Sequence, residues 1–300
     1  MASGSPRSEV DPIEVLRSLG FQEPGDIQPV SGGWDTAIWR FATEDGSRHV
    51  LRVYRSADAR PASIRERVAL EAAAADGLPV PAVEAFGEWR ERPAVVLTWR
   101  PGEPLLRCIQ RKPWTVWRLS RELGRLQARV QRVPVPDALR EGAPDYWLAR
   151  RGGGAGMDTS GLEQAGVGSD AFVHMDLHPM NVLSDGRTIT GIVDWTNAAA
   201  GDVRADLAWT TTLLRVAPMP PSRLNILLRT GRWLFYRGWR RGYESVAGPI
   251  PDLAPFLAWA GAVLLNEALP RVDEPQVWAT EKDMEAVRRW VARWERRAEK

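Results

Sequence analysis

Val173-His174-Met175-Asp176-Leu177-His178-Pro179-Met180-Asn181-Val182-Leu183, followed by Gly191-Ile192-Val193-Asp194-Trp195, is the stretch from which the rest of the chain is read. It places apolar residues before a His, an Asp two positions later, and an Asn five positions after that Asp. Val182-Leu183-Ser184 and Thr188-Ile189-Thr190-Gly191-Ile192-Val193 are strand-like, and Asp185-Gly186 between them is a strong tight-turn signal. A hairpin there folds Asp194 back beside the loop that carries Asp176 and Asn181. Taken singly, His, Asp and Asn at loop positions more often cap turns than build sites. The whole string, ending in Ile-Val-Asp, is far more specific.

A carboxylate on an exposed loop, as expected of Asp176, orients an acceptor hydroxyl and takes its proton. Asn181 and Asp194 supply the oxygen ligands that Mg2+ prefers. In this order the groups meet the needs of phosphoryl transfer from a nucleoside triphosphate. The segment resembles the catalytic loop of the aminoglycoside phosphotransferase and choline kinase-like superfamily, relatives of the protein kinases, with the usual string His-Gly-Asp-Leu-His-Pro-Gly-Asn. His174, Asp176, His178, Pro179 and Asn181 match it, while Met175 and Met180 stand where the family usually has Gly. Met180 then adds bulk next to the expected acceptor. Gly201-Asp202-Val203-Arg204-Ala205-Asp206-Leu207-Ala208 is similar to a second family string, and by it Asp206 braces the catalytic loop without touching substrate.

The resemblance covers roughly residues 25 to 270 and implies an α+β, protein kinase-like fold of two lobes. Residues 1–100 would form an N-terminal nucleotide-binding lobe, a five-stranded antiparallel sheet with a helix. Residues 101–300 would form a mainly helical catalytic and substrate-binding lobe with the catalytic hairpin. ATP and Mg2+ are the implied cofactors, and a hydroxyl of a small molecule the implied acceptor. His178 lies where protein kinases send a lysine to the γ-phosphate two residues after the catalytic Asp; a structural hydrogen bond is the alternative. His174 is expected to hold the loop against the hairpin.

Upstream, Asp11-Pro12-Ile13-Glu14 opens a helix with an N-cap, an early Pro and a capping-box Glu, and Gly20 closes it. Ser31-Gly32-Gly33-Trp34-Asp35 separates two strand-like runs, and Gly32 and Gly33 let backbone amides approach an anion without Cβ obstruction. A Gly-Gly turn alone marks an ordinary hairpin. Val50-Leu51-Arg52-Val53 falls where a kinase-like fold carries its strand lysine, so the resemblance gives Arg52 the grip on the α- and β-phosphates. Pro61 to Asp76, closed by Gly77, is a helix that should carry the acid holding this cation. Glu66 has the family spacing before Pro81; Glu71, five residues on, faces another way. Strands over Ala82–Trp89 and Pro93–Trp99 complete the sheet. Thr98-Trp99-Arg100-Pro101-Gly102 corresponds to the hinge, where the Thr98 carbonyl and the Arg100 amide would pair with adenine.

Downstream, Lys112 to Gln131 is an amphipathic helix, with Trp117, Leu119, Leu123, Leu126 and Val130 as core contacts. Gly152-Gly153-Gly154-Ala155-Gly156 opens a loop tract. Four helices are expected over Arg204–Arg215, Pro221–Val246, Asp252–Leu269 and Pro275–Ala298, and apart from the hairpin no further strand.

Composition narrows the class. A 300-residue chain with 44% hydrophobic and 26% charged residues is ordinary for a folded enzyme. A net charge of +2, from 40 basic and 38 acidic residues, argues against a dedicated nucleic-acid binder. The single Cys108 excludes an internal disulfide and a thiolate metal cluster. The first residues lack the apolar core of a signal peptide, and the apolar run Phe256–Leu265 is too short to span a bilayer, so no membrane is expected and cytoplasm is the expected location. The 15 Trp are spread as packing residues.

An ATP-dependent small-molecule kinase thus leads. A protein kinase is disfavoured because Trp195-Thr196 replaces Phe-Gly and the short interval to Asp206 leaves no long activation segment. A nucleotide-binding module without catalysis is disfavoured because clustered carboxylates are costly to keep without a cation. A polycationic aminoglycoside would favour an acidic pocket, for which Glu244, Asp252, Glu267, Asp273 and Glu274 are available. Macrolides, choline-like alcohols and amino-acid or sugar hydroxyls fit the fold equally.

Overall fold

The computed structural model describes residues 10–30, 35–141, 160–218, 225–268 and 279–299. Helix α1 (Pro12–Ser18) starts where Asp11 accepts from the Ile13 amide at 2.9 Å. Glu14 does not close a capping box; it pairs with Arg90 at 3.2 Å. Strands β1 (Gly25–Val30), β2 (Thr36–Ala42) and β3 (Arg48–Tyr54) lead to helix α2 (Arg60–Ala75), then β4 (Val83–Trp89) and β5 (Arg92–Thr98). All five pair antiparallel in the order β1-β2-β3-β5-β4. Arg90 and Glu91 make the β4–β5 turn with φ of 48° and 64°, the left-handed pair a two-residue hairpin needs, without the Gly or Asn that would signal it.

The period of two along each strand separates the sheet's faces. Leu51, Val53, Ala94 and Val96 pack with α1 residues Val15 and Leu16 in one core. Val95 and Leu97 point the other way, to Ala69, Leu70 and Ala73 of α2, in a core that continues into the helical part of the chain.

Beyond Thr98 come β6 (Glu103–Pro104), α3 (Leu105–Arg111), a 3-10 turn at Pro113–Thr115, α4 (Val116–Val130), α5 (Asp137–Arg140) and α6 (Ser160–Ala165). Next are β7 (Ala171–Val173), β8 (Val182–Ser184), β9 (Ile189–Ile192) and β10 (Ala199–Gly201). Then follow α7 (Val203–Arg215), α8 (Asn225–Ala247), α9 (Ala254–Ala268) and α10 (Glu281–Ala298). Pro113 turns the chain before α4, so the helix expected from Lys112 starts at Val116, and Trp117 is 41% exposed rather than in the core. The hairpin is not the only sheet here: β6 extends it in the order β6-β8-β9, and β7 pairs with β10. Its turn is longer than a two-residue Asp-Gly turn, because Asp185 Oδ1 accepts from the Arg187 and Thr188 amides at 2.6 and 2.8 Å. Helix α10 begins later than Pro275, at a capping box between Thr280 and Asp283.

Helices α4 and α8 approach closely because glycine lines their contact. A Cβ on Gly124 would run into the Trp239 carbonyl, and one on Gly242 into the Arg121 carbonyl.

Candidate active site

Between β7 and β8 the chain makes no regular structure, and backbone strain marks the ends of the motif. Met175 has φ 59° and Asp194 φ 63°, left-handed values that cost a non-glycine residue about 1–3 kcal/mol each. Met175 points inward, 1% exposed, whereas Met180 is 37% exposed on the open side of the loop. The loop is held from beneath by α7. Asp206, fully buried on its first turn, accepts from the Met175 amide at 2.8 Å, and its other oxygen accepts from Gln127 and Gln131 of and just beyond α4 at 2.8 and 2.7 Å.

Asp176 and Asn181 meet directly. The Asn181 side-chain amide donates to the Asp176 carbonyl at 3.0 Å and to Asp176 Oδ2 at 3.2 Å. Asp176 Oδ1 accepts from the Trp209 indole at 3.0 Å. His178 Nε2 lies 3.8 Å from the same oxygen, beyond hydrogen-bond range. His178 Nδ1 accepts from the Met180 amide at 3.2 Å, which leaves the proton of a neutral ring on Nε2, toward Asp176. The Asn181 carbonyl accepts from the Val193 amide at 2.9 Å, tying the loop to the residue before Asp194.

His174 is buried and its Nδ1 accepts from the Asp176 amide at 3.2 Å. Its ring lies 4.5 Å from that of Trp195. Burial lowers its pKa; the nearby carboxylates of Asp176, Asp206 and Asp194 act the other way without reversing it. A neutral imidazole here joins loop and hairpin.

The sheet supplies a buried ion pair. Arg52 Nη1 donates to Glu66 Oε1, Tyr54 donates to Glu66 Oε2 at 2.5 Å, and the Trp195 amide donates to Glu66 Oε1 at 3.3 Å. Arg52 Nη2 also lies 3.9 Å from Asp194 Oδ1. Burial alone would lower the Arg52 pKa, but Glu66, Tyr54 and Asp194 hold it above its ordinary value. Glu71 faces away, bonded to Arg67 at 3.1 Å. Thr98 ends β5 with its hydroxyl accepting from the Ala82 amide at 2.9 Å. The Arg100 side chain bonds the Thr190 carbonyl at 3.0 Å, so the segment leaving the sheet is anchored on β9. Gly32 and Gly33 lie outside the described residues.

The donor set fits a hard divalent cation. The Asn181 side-chain nitrogen is turned to Asp176, and among the described residues no hydrogen bond reaches the Asn181 side-chain oxygen. Asp194 is half-exposed: its Oδ1 accepts from Thr196 at 2.8 Å, and among the described residues no hydrogen bond reaches Oδ2. Mg2+ sites use one or two protein oxygens together with substrate phosphates. Among the described residues no cluster of three or more His, Cys, Asp or Glu is found.

Tyr54 and Trp209 were not singled out in the sequence. Signals for both exist: Tyr54 is two residues after Arg52 on one strand face, and Trp209 is three after Asp206 on one helix face. Of the carboxylates considered for an acidic pocket, Glu244 and Asp252 have local partners. Glu244 pairs with Arg240 at 2.7 Å and Asp252 caps Ala254 at 3.0 Å. Asp252 also borders a cavity of about 300 Å3 rimmed by Arg215, Arg240, Arg293 and Arg297, the opposite charge to that expected. Asp273 and Glu274 lie outside the described residues.

Among the described residues no helix is long and apolar enough to cross a membrane. No curated protein matches the chain significantly in sequence. Among solved structures the chain is similar to a macrolide 2'-phosphotransferase of Brachybacterium faecium, at 20% identity over 92% of this chain and 97% of that one, with a TM-score of 0.57. It is similar to a thermostable mutant of aminoglycoside phosphotransferase APH(4)-Ia solved with AMP-PNP and hygromycin B, at 17% identity, 95% and 97% coverage, and a TM-score of 0.65. A third is an amicoumacin kinase solved with AMP-PNP, Ca2+ and Ami, at 13% identity, 97% and 95% coverage, and a TM-score of 0.62. At these identities the neighbours bear on the fold, and they share the protein kinase-like α+β architecture. The model of the phosphotransferase enzyme family matches residues 26–154 and 161–245, well over half of the sequence, and the chain therefore belongs to that family of small-molecule kinases.

Proposed function

We propose that the protein transfers the γ-phosphoryl group of ATP to a hydroxyl of a small molecule, with Asp176 as base. The observation that carries this is the convergence of Asp176 and Asn181 with a hairpin strand that delivers Asp194 beside the buried Arg52–Glu66 pair. Asp176 orients the acceptor hydroxyl and takes its proton while the acceptor oxygen bonds to the γ-phosphorus. The bond from that phosphorus to the β–γ bridging oxygen breaks, so the products are a phosphate ester and ADP. Asn181 and Asp194 would hold Mg2+, which when bound neutralises charge on the phosphate oxygens. Arg52, fixed by Glu66, sets the α- and β-phosphates; Thr98 and Arg100 offer backbone groups to adenine, and Gly32 and Gly33 amides to the phosphates. His178, with Nε2 3.8 Å from Asp176 Oδ1, would reach the γ-phosphate or serve a structural role.

A peptide acceptor is disfavoured. From Asp194 the chain passes through β10, paired with β7, and enters α7 at Val203, so no activation segment intervenes. Hydroxylated antibiotics of the kinds bound or modified by the similar proteins are the first acceptors to try, and the cytoplasm, where ATP is plentiful, is the expected location.

The test is ADP release by purified protein across a panel of hydroxylated antibiotics and metabolites with Mg2+ and ATP. Turnover with at least one acceptor is expected, and its loss in Asp176→Ala with ATP binding retained. ATP binding without turnover on any acceptor would make the protein a nucleotide-binding module instead.

A further inference from the structure

Three successive residues of the candidate catalytic loop are gripped by one face of α7. Asp206 takes the Met175 amide, Trp209 donates to the Asp176 carboxylate, and Thr210 donates to the Leu177 carbonyl at 3.1 Å. Asp206, Trp209 and Thr210 are spaced three and four residues apart from the first, so they share that face. Two of these contacts hold backbone. The third holds the reacting group itself.

We infer that Trp209 is a positioning residue of the reaction: its indole N–H fixes the Asp176 carboxylate in the orientation that receives the acceptor proton. The inference rests on the proposed phosphotransfer and adds to it a residue from outside the loop. With Trp209 on Oδ1 and Asn181 on Oδ2, at 3.0 and 3.2 Å, rotation of the carboxylate about its Cβ–Cγ bond would break both contacts at once. His178, the other neighbour of Oδ1, is too far at 3.8 Å to do this. The anchor is itself rigid. Trp209 is 2% exposed, inside the main core, on a helix whose C-terminal carbonyls at Leu213 and Leu214, with the Ala217 carbonyl just beyond it, are tied by Arg232 at 2.5–2.8 Å. A hydrogen bond to an ionised group is short and directional, so an indole is well suited to orient a carboxylate without giving it a counter-charge that would blunt its basicity.

Trp209→Phe keeps a buried aromatic ring, deletes the donor and leaves a small void where the rest of the indole was. We expect kcat to fall about tenfold or more, the scale of one charge-assisted hydrogen bond. The KM values for ATP and acceptor should stay within about twofold, while the melting temperature falls by no more than the small void accounts for. Contact is read independently of turnover: the Trp209 indole 15N–1H resonance, identified by its loss in Trp209→Phe, should move in Asp176→Asn. An unmoved resonance, an unchanged kcat, or a kcat loss accompanied by an equal loss of ATP and acceptor binding would each overturn the assignment. A wild-type enzyme with no turnover, whose indole resonance still responds to Asp176→Asn, would instead overturn the phosphotransfer that the inference rests on.

Discussion

Met175 combines a φ of 59° with a side chain that is 1% exposed, and the two pull in opposite directions on substitution. Glycine there would relieve about 1–2 kcal/mol of left-handed strain. It would also give up a buried Met side chain, about 2–5 kcal/mol, and add about 0.5–1 kcal/mol of unfolded-chain entropy. Packing wins, so Met175→Gly should lose about 2 kcal/mol. Met175→Ala, which keeps the strain and leaves a similar void, should lose more. Urea denaturation of the two variants checks the order, and Met175→Ala proving the more stable would mean that the backbone is not strained. The same residue shows what can be read at this scale. Asp176, Asn181 and Asp194 announce themselves because a loop His-x-Asp, an Asn at fixed spacing and a strand-end Asp are polar groups in a recognisable order. Trp209 and Tyr54 do not, since an aromatic residue in a helix or strand looks like packing until the atom at its tip is seen to donate. Nor does the sequence say that Met175 turns inward while Met180 faces out.

At the scale of elements, the contact between α4 and α8 sets a sharper condition than helix propensity. Gly242 and Gly231 lie on the same helix and should respond with opposite signs. A methyl group at Gly242 meets the Arg121 backbone carbonyl, which has no rotamer to move away, while one at Gly231 meets nothing within 4 Å among the described residues. Helix propensity favours Ala over Gly by up to about 1 kcal/mol at either position. Overpacking at Gly242 costs about 1–3 kcal/mol or more and prevails. Gly231→Ala should therefore raise the thermal midpoint and Gly242→Ala lower it, each measured by circular dichroism. If both raise it, the two helices can part without penalty and the close approach is not needed. Strands β2 to β5 and helices α2, α4 and α7 follow from periodicity and capping. The short strands β6, β7 and β10 did not: each has two or three residues, too few to show a period, and exists only because a distant partner satisfies its backbone.

The chain changes from mainly sheet to mainly helices after Thr98, and apolar packing crosses that change. Leu70 of α2 and Leu97 of β5 share one buried cluster with Leu119 and Leu123 of α4 and Trp209 of α7. Polar contacts cross it too: Glu66 holds the Trp195 amide, and Pro79 accepts from the Ile192 amide at 2.8 Å. Parts joined through a common core unfold together, because neither can keep its buried surface once the other leaves. If ATP and Mg2+ bind where Arg52 and Asp194 meet, their binding energy should appear in the whole transition. At a ligand concentration about 100 times Kd the gain is about 2.7 kcal/mol, or roughly 4 °C in Tm. The measurement is unfolding with and without ATP and Mg2+, followed by hydrogen exchange of the α4 and α7 amides for the helical part and of the β2 and β3 amides for the sheet. Coincident shifts are expected from both probes. In Glu66→Gln the buried Arg52 loses its counter-charge and the shift should shrink for both, since the cation is no longer held at the crossing point. Two separate transitions, only one of them moved by the nucleotide, would mean that the sheet and the helices are thermodynamically independent despite the continuous core.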